Sequence, residues 1–371
     1  MRKILTSLAS LAISVIVLFL VPNWAFSKDI KGIDRIPIDP SVKFQTTPKS
    51  FAVSEDYLFF FPDYKDGKGT IKVLSKGKQS LHLVTELSHL PNNERLIQPW
   101  YLTYMPDTTP YEGILGIIDY GTKKVAIFKR SGKMEFVPMP TISCPSLGYD
   151  LKFAGSSLNQ IIISGYVTDP QDTPFDLFSI NIDNRNINYL ISSCQKYNLR
   201  NQQEMIQKYD VEGIIPSIGI TGFTDICEDE LFYVWEGKFR VIQMNLKSMK
   251  ISRTFGHPVL EEWRSNKYIT EIRDLRKLGD KDAYLNAKKR IPRILNIFAT
   301  KDLVFLVYQE AITAEIKMQR YNRQGDYMGE FLIPEKLGKA MWFDKETYEL
   351  YAISSPDTSG RFSILKYKIE R

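Results

Sequence analysis

The most constraining feature of this sequence is a pattern of short strands that recurs along almost the whole chain. Each copy joins an apolar strand, a polar loop, a strand in which apolar and polar residues alternate, and a tight turn before another strand. Alternation with a period of two is typical of a half-buried antiparallel strand, and glycine-containing turns are typical of hairpins. The clearest copies are Leu58–Phe61 with Ile71–Lys78 and Ile114–Asp119 with Val125–Lys133.

Four further copies follow these two. They join Gln160–Val167 to Leu177–Asn181, Leu231–Trp235 to Phe239–Leu246, Leu303–Tyr308 to Ile316–Tyr321 and Tyr327–Ile333, and Glu349–Ile353 to Phe362–Tyr367. Repetition at this spacing is typical of propeller blades. The sequence therefore predicts an all-β fold, a six-bladed β-propeller.

The two ends of the chain predict how this ring closes. The chain stops at Arg371, directly after the third strand of the sixth copy, and Ile30–Ile38 precedes the first copy without an evident partner. Because an unpaired sheet edge exposes hydrogen-bonding groups, we expect the N-terminal strand to complete the last blade.

The fifth copy also carries a family resemblance. It continues as Arg320–Phe331 and turns at Arg323-Gln324-Gly325, and this segment resembles the outer hairpin of the NHL and TolB-like six-bladed propellers. The turns at Ser131-Gly132 and Lys76-Gly77 resemble it more weakly. The resemblance implies a fold and no substrate, since NHL-type propellers include both enzymes and binding scaffolds.

The first 27 residues have the order of a secretory signal peptide. Arg2 and Lys3 precede an apolar run from Leu8 to Val21, and the small residues Ala25 and Ser27 follow it. This order predicts cleavage after Ser27 and a propeller domain over residues 28–371. An uncleaved membrane anchor is the alternative, although a run of about 14 residues is shorter than the roughly 20 that a spanning helix needs. We expect a periplasmic or secreted protein with no transmembrane segment after cleavage.

Two inserts, at about residues 197–214 and 257–292, interrupt the repeat and have helical patterns. Asn198–Tyr209 is polar, whereas apolar residues recur at roughly helical spacing over Val259–Leu278. Asp280 is a plausible cap for a second short helix, which Pro292 would end. In a four-stranded blade, the loop after the second strand and the link to the next blade lie on one face of the disk, here called the link face. We expect both inserts on that face.

The link face is also where we predict the binding residues, because propellers place binding groups on loops held by a rigid scaffold. An acidic rim, a basic helical lid and loop aromatics would together bind a protein or peptide partner. The predicted binding residues are Asp63, Tyr64, Asp66, Trp100, Tyr101, Asp169, Asp172, Phe175, Glu236, Arg273, Arg276, Lys277, Glu310 and Asp357. The alternative is that the helices cover apolar surface and the charges are solvated.

Catalytic motifs are absent from the sequence, which favours a non-catalytic binding protein. There is no nucleophile elbow, phosphate-binding loop or zinc-protease motif. The alternative is a metal-dependent hydrolase or lyase, because lactonase-type propellers, which this fold resembles, hold a divalent cation such as calcium in the central channel. The ligand candidates here would be Asp63, Asp119, Asn159, Asp225 and Asn296.

The chain has three cysteines, of which two are the expected disulfide pair. Cys144 and Cys194 fall in consecutive blade links on the link face, so they are the expected pair if a disulfide forms, whereas Cys227 lies on the opposite face.

The net charge of the chain is modest. The formal charge of +6 includes Arg2 and Lys3, and the remaining excess of positive charge falls within residues 261–293. A charge this small and this local does not predict nucleic-acid binding.

Overall fold

A computed structural model arranges the chain as six four-stranded antiparallel sheets within the residues it describes. These residues are 31–106, 112–143, 152–157, 160–168, 174–182, 184–191, 222–235, 240–248, 250–256, 274–275, 277–289, 292–310, 313–334 and 337–370. Five sheets contain strands in the order of the sequence, and the sixth combines both ends of the chain. The predicted six-bladed β-propeller is confirmed.

The strands of the first three blades follow the predicted copies. Blade 1 contains β2 (Ala52–Val53), β3 (Leu58–Lys65), β4 (Lys68–Lys76) and β5 (Leu81–Leu87). Blade 2 contains β6 (Pro99–Pro106), β7 (Glu112–Asp119), β8 (Lys124–Ser131) and β9 (Phe136–Ser143). Blade 3 contains β10 (Lys152–Ser157), β11 (Gln160–Thr168), β12 (Pro174–Asn181) and β13 (Ile187–Ile191).

The other three blades complete the ring. Blade 4 contains β14 (Gly222–Cys227), β15 (Glu230–Trp235), β16 (Val241–Asn245) and β17 (Lys250–Phe255). Blade 5 contains β18 (Arg293–Ala299), β19 (Leu303–Gln309), β20 (Ile316–Asn322) and β21 (Tyr327–Ile333). Blade 6 contains β22 (Leu337–Asp344), β23 (Glu349–Ser354), β24 (Ser363–Lys368) and the N-terminal strand β1 (Lys31–Pro37).

The second strand of each blade is apolar without alternation because both of its faces are covered by neighbouring blades. In β3, Phe59 stacks edge to face with Tyr351 of blade 6, at 5.9 Å between ring centroids. The next residue, Phe60, points the other way and stacks with Tyr104 of blade 2 at 5.5 Å. Both phenylalanines are fully buried. The apolar residues of this strand therefore pack against both neighbouring blades, alternately on one face of the sheet and on the other.

The N-terminal strand closes the ring as predicted. β1 pairs antiparallel with β24, and Ile36 lies opposite Ile364 in this pairing. The side chain of Ile36 is buried in the apolar cluster that blades 6 and 1 share. The chain then crosses to blade 1, where the Asp39 amide donates to the Leu81 carbonyl at 2.8 Å. Blade 6 is thus tied to blade 1 through β1 and the segment that follows it.

The second insert ends in the predicted short helix, α1 (Lys281–Lys289). Its cap is Asp280, whose Oδ1 accepts a hydrogen bond from the Ala283 amide at 2.9 Å. The helix lies in the link between β17 and β18, which places it on the link face. In the part of the chain that the structure describes, no helix is long and apolar enough to cross a membrane.

Several predictions concern segments outside the described residues. They are the signal peptide, the helix at Asn198–Tyr209, most of Val259–Leu278, and the pair Cys144 and Cys194. Cys227 is described: it is buried at the end of β14, and burial raises the pKa of its thiol.

The polar loop predicted between Leu58–Phe61 and Ile71–Lys78 is wrong, because β3 extends to Lys65 and β4 begins at Lys68. Asp66 and Gly67 alone make the turn, with φ angles of 52° and 73°. Two consecutive residues with positive φ are typical of the tightest hairpins, for which Asp-Gly is a preferred sequence. Asp63 and Tyr64 therefore belong to a strand.

Candidate functional site

A cavity of about 540 Å³ lies where the first strands of the six blades meet. Each of β2, β6, β10, β14, β18 and β22 contributes to its wall. These six strands all run from the link face to the opposite face, which carries the turns between first and second strands and is here called the turn face. The cavity therefore occupies the central channel of the propeller, and cavities of this volume are typical of ligand sites.

The wall of the channel is mainly apolar and aromatic. Its members include Leu102, Met105, Phe298, Met341, Trp342 and Phe343. At the link-face end the lining residues include Lys49 and Ser50, which precede β2, and Tyr101, which lies in the first half of β6. Tyr101 is the one described residue of the predicted binding set that lines the channel.

The charged groups of the channel concentrate at its turn-face end, in two turns. Ser54–Tyr57 joins β2 to β3, and residues 345–348 join β22 to β23. Glu55, Asp344, Lys345 and Glu346 line the cavity there, and the exposed ring of Tyr57 lies beside them. Partial desolvation raises the pKa of Glu55 above its ordinary value, although the side chain stays exposed, and the negative charges of Asp56 and Glu346 add to that rise. Sequence reasoning assigned no role to these residues.

Asp225, which was predicted as a metal ligand, connects three blades at this end. Its Oδ2 accepts a hydrogen bond from the Ala299 amide of blade 5 at 2.7 Å. Its Oδ1 accepts one from Lys345 Nζ of blade 6 at 2.7 Å, and the same ammonium group donates to the Ile226 carbonyl. Burial raises the pKa of the Asp225 carboxyl, while the charge of Lys345 opposes that rise. Asp225 therefore acts as a fixed acceptor for groups of its own protein.

Asp63 and Asp119 hold the links that lead into their blades. Asp63 Oδ1 accepts hydrogen bonds from the Gln45 and Thr46 amides at 2.9 and 3.2 Å. Asp119 accepts them from the amides of Ile97 and Gln98, at 2.9 and 2.8 Å. Both carboxylates are buried, and neither lines the cavity. Each Asp is followed by Tyr in the sequence, a repeated pair that signals this shared structural role.

The four described metal-ligand candidates, Asp63, Asp119, Asp225 and Asn296, do not converge on a common point in the channel. Asn296 lines the cavity, but its Oδ1 accepts a hydrogen bond from the next amide, that of Ile297, at 2.9 Å. Asn159 lies outside the described residues. Among the residues that the structure describes, no three His, Cys, Asp or Glu side chains are grouped so that they could hold a metal ion. The four described donors that the lactonase resemblance suggested each accept hydrogen bonds from main-chain amides of the protein.

Two arginines lock neighbouring blades on the turn face. Arg130 of β8 is fully buried, and its guanidinium forms a bidentate pair with Asp56 of blade 1, with both contacts at 2.7 Å. Arg323 of blade 5 forms a single ion-pair contact with Glu230 of blade 4, and its guanidinium lies over the Phe232 ring. Each arginine stands two residues before the glycine of a strand-three to strand-four turn. The family-like hairpin sequence thus encodes a contact between blades.

Two of the predicted link-face aromatics, Trp100 and Tyr101, form a cluster with Tyr120 beside the channel. Trp100 packs against Tyr120 at 4.6 Å between ring centroids and against Tyr101 at 6.5 Å. The Lys49 ammonium lies 3.7 Å from the centroid of the Trp100 ring, in a cation–π contact. These residues bring the second blade against the link that precedes the first.

The other described members of the predicted binding set are not brought together. Asp66 is exposed in the tight turn of blade 1, Tyr64 is half-buried in β3, and Lys277 is exposed before α1. Glu310 pairs with Lys317 at 3.1 Å, and Asp357 caps its own turn by accepting from the Ser359 amide at 2.8 Å. The structure does not describe Asp169, Asp172, Glu236, Arg273, Arg276 or the side chain of Phe175. A binding role for this set stays a prediction.

Comparison with known proteins supports the fold and assigns no family. No protein-family model matches the chain, and no curated protein matches it. A crystal structure of a presumed exported protein from Bacteroides fragilis NCTC 9343 is similar, with a TM-score of 0.51 and 11% identity over 94% of this chain and 98% of that one. At this identity the likeness shows the fold alone.

Two other solved structures are more distant. The β-propeller domain of Myceliophteria thermophila Cps50 (Swd1) has a TM-score of 0.44 and 10% identity, and the match covers 91% of this chain and 100% of that domain. A protein from Lactobacillus plantarum has a TM-score of 0.40 and 9% identity, over 88% of this chain and 86% of the other.

Proposed function

We propose that this protein is an exported, non-catalytic β-propeller that binds a peptide segment of a partner in its central channel. The observation that carries this proposal is the cavity of about 540 Å³, which all six blades line and which has few polar groups beyond its two ends. A mainly apolar cavity with a small number of convergent polar groups is the usual form of a ligand site. Its volume would accommodate a few side chains and no folded domain.

Export is part of the same proposal. It is supported by the signal-like order of the first 27 residues and by the similar protein from Bacteroides fragilis, which is presumed to be exported. We also propose that the protein is related to the NHL and TolB-like propellers, and the hairpin sequence around Arg323-Gln324-Gly325 supports this relationship. We still predict that the rest of the partner protein contacts the link face, which carries the aromatic cluster around Trp100.

Retention of short peptides tests the proposal directly. The immobilised protein is exposed to a pool of capped tripeptides of every composition, and the retained peptides are identified by mass. We expect retention by the unmodified protein and at least fivefold weaker retention by Tyr57→Ala, because the exposed Tyr57 ring stands at the channel mouth.

The matched control is Tyr327→Ala. Tyr327 is exposed to a similar extent, 45% against 41% for Tyr57, but it lies on the outer strand β21, away from the channel. Peptide retention should be unchanged in this variant. Equal losses in both variants, or no retained peptide, would contradict binding in the channel.

A further inference from the structure

Two lysines line the channel, one at each end, and their surroundings differ. At the turn-face end, Lys345 Nζ donates hydrogen bonds to Asp225 Oδ1 and to the Ile226 carbonyl. At the link-face end, the Lys49 ammonium lies 3.7 Å from the centroid of the Trp100 ring. Lys49 forms no ion pair with any residue that the structure describes. The link-face mouth therefore offers a ligand a positive charge that no described carboxylate balances.

The position of this charge is fixed by the neighbours of Lys49. Ser50 Oγ donates to the Trp100 carbonyl at 2.7 Å and accepts a hydrogen bond from the Leu102 amide at 3.0 Å, which ties the segment to β6. The Trp100 ring is itself packed against Tyr120. A lysine ammonium has three N–H donors, and a cation–π contact leaves them available to a second partner. Because Lys49 is exposed, that partner can come from a bound molecule.

The wall of the channel behind Lys49 is apolar, with Leu102, Met105 and Phe298 among its members. An apolar ligand that covered Lys49 would remove water from the ammonium group without supplying an acceptor, which is costly. A ligand that meets both regions therefore needs an anionic group at the link-face mouth and apolar groups behind it. A carboxylate is less suited to the other end, because Lys345 there already donates to Asp225.

One buried polar group in the wall also lacks a partner. Thr224 of β14 lines the cavity and is only 8% exposed, and its hydroxyl forms no hydrogen bond with the described residues. Buried hydroxyl groups are normally hydrogen-bonded, so an unpaired one in a cavity wall indicates a group that a ligand can supply. A peptide carbonyl or amide matches this requirement.

We propose that the channel recognises a peptide segment carrying a carboxylate next to apolar side chains, with the carboxylate on Lys49 at the link-face mouth and the apolar side chains against the inner wall. This inference rests on the proposed function and specifies its ligand. The carboxylate would gain charge-assisted hydrogen bonds from the ammonium group, and the apolar groups would be removed from water. An acidic side chain and a chain terminus both supply this chemistry.

Three tripeptides of nearly equal size test this assignment: acetyl-Phe-Gln-Phe-amide, which is neutral, acetyl-Phe-Glu-Phe-amide, and acetyl-Phe-Gln-Phe with a free carboxyl terminus. Each is titrated calorimetrically into the protein. We expect at least one of the two carboxylate peptides to bind about fivefold or more tightly than the neutral peptide. An advantage of the glutamate peptide assigns the carboxylate to an acidic side chain, and an advantage of the free acid assigns it to a chain terminus.

Variants of Lys49 connect this preference to the link-face mouth. Lys49→Met keeps the apolar stem of the side chain and removes its charge, so the advantage of the carboxylate should fall to within twofold. Lys49→Arg keeps the charge and should retain the preference.

The matched control is Lys65→Met, which removes the same charge from an exposed lysine that does not line the cavity. It should keep the full preference for the carboxylate. If the control loses the preference equally, the effect is one of overall charge and the assignment is wrong. If the three peptides bind equally and Tyr57→Ala weakens them all, binding in the channel stands and the carboxylate ligand is refuted. If none of the three binds although other peptides of the pool are retained, the ligand assignment alone fails.

Discussion

At the residue scale, the buried carboxylates of this protein serve its own backbone. Asp63, Asp119 and Asp225 each accept main-chain amides, and in every case at least one amide comes from outside the strand that carries the aspartate. A buried amide without a partner is costly, so such a carboxylate stabilises the segment that it holds. These three aspartates are thus parts of the scaffold.

Replacing Asp119 by Ala should destabilise the protein by about 3 kcal/mol, because three amides, those of Ile97, Gln98 and Gly121, would lose their acceptor in a buried setting. Denaturant unfolding measures this change. Asp357→Ala is the control, since Asp357 also accepts several amides but lies in an exposed turn. Asp357→Ala should lower the free energy of unfolding by much less than Asp119→Ala does. Equal losses in the two variants would contradict the importance of burial.

The Arg130–Asp56 pair predicts a dependence on pH. Burial alone would raise the pKa of Asp56, but the hydrogen bonds from Arg130 and Ser54 outweigh it and lower that pKa below its ordinary value. A carboxyl with a lowered folded-state pKa stabilises the protein above its unfolded value of about 3.9 and loses this effect as the pH falls through the folded value.

Asp56→Asn should therefore cost about 3 kcal/mol at pH 7, because it leaves the buried Arg130 charge without its counter-ion. The difference in unfolding free energy between the two proteins should be constant from pH 5 to pH 7 and shrink below about pH 4. Urea unfolding at a series of pH values measures it. A difference that stays constant down to pH 2 would show that ionised Asp56 is not what holds the arginine.

At the scale of the elements, β1 decides whether the ring is closed. It supplies the outer strand of blade 6, and the segment after it reaches blade 1 through Asp39 and Leu81. One strand thus joins the two ends of the chain and two neighbouring blades.

Ile36→Ala should destabilise the protein by about 3 kcal/mol, since the Ile36 side chain is buried where blades 6 and 1 meet. Asp34→Ala, at an exposed position of the same strand, should change stability by less than about 0.5 kcal/mol. Thermal and denaturant melts of both variants make the comparison. Equal stability of Ile36→Ala and the unmodified protein would mean that the ring does not depend on this strand.

At the scale of the whole molecule, the first described strand begins only a few residues after the predicted cleavage site at Ser27. Expression of the full sequence in a bacterial host should therefore yield an exported chain that begins at Lys28, as measured by intact mass. Replacing both Ala25 and Ser27 by Leu should block cleavage, because the processing site requires small residues. An exported chain that retains Met1 would contradict cleavage and favour the membrane anchor.

Much of the fold could be predicted because its determinants are local. Alternating strands, glycine turns and the continuous apolar run at Leu58–Phe61 each report the environment of a few consecutive residues. The Asp66-Gly67 turn was equally readable and was missed because the surrounding polar residues were interpreted as a loop. The helix cap at Asp280 and the closing strand were correct for the same local reason.

The sequence by itself determined the six blades, the order of their strands and the closing role of the N-terminal strand. Only the tertiary structure decided where the channel widens and which charges meet at its mouth. The turns at Ser54–Tyr57 and residues 345–348 lie at opposite ends of the chain and become neighbours when blade 6 closes against blade 1. Strand periodicity specifies which face of a strand is buried, but convergence of turns depends on how six blades pack around one axis, and that is a property of the assembled ring.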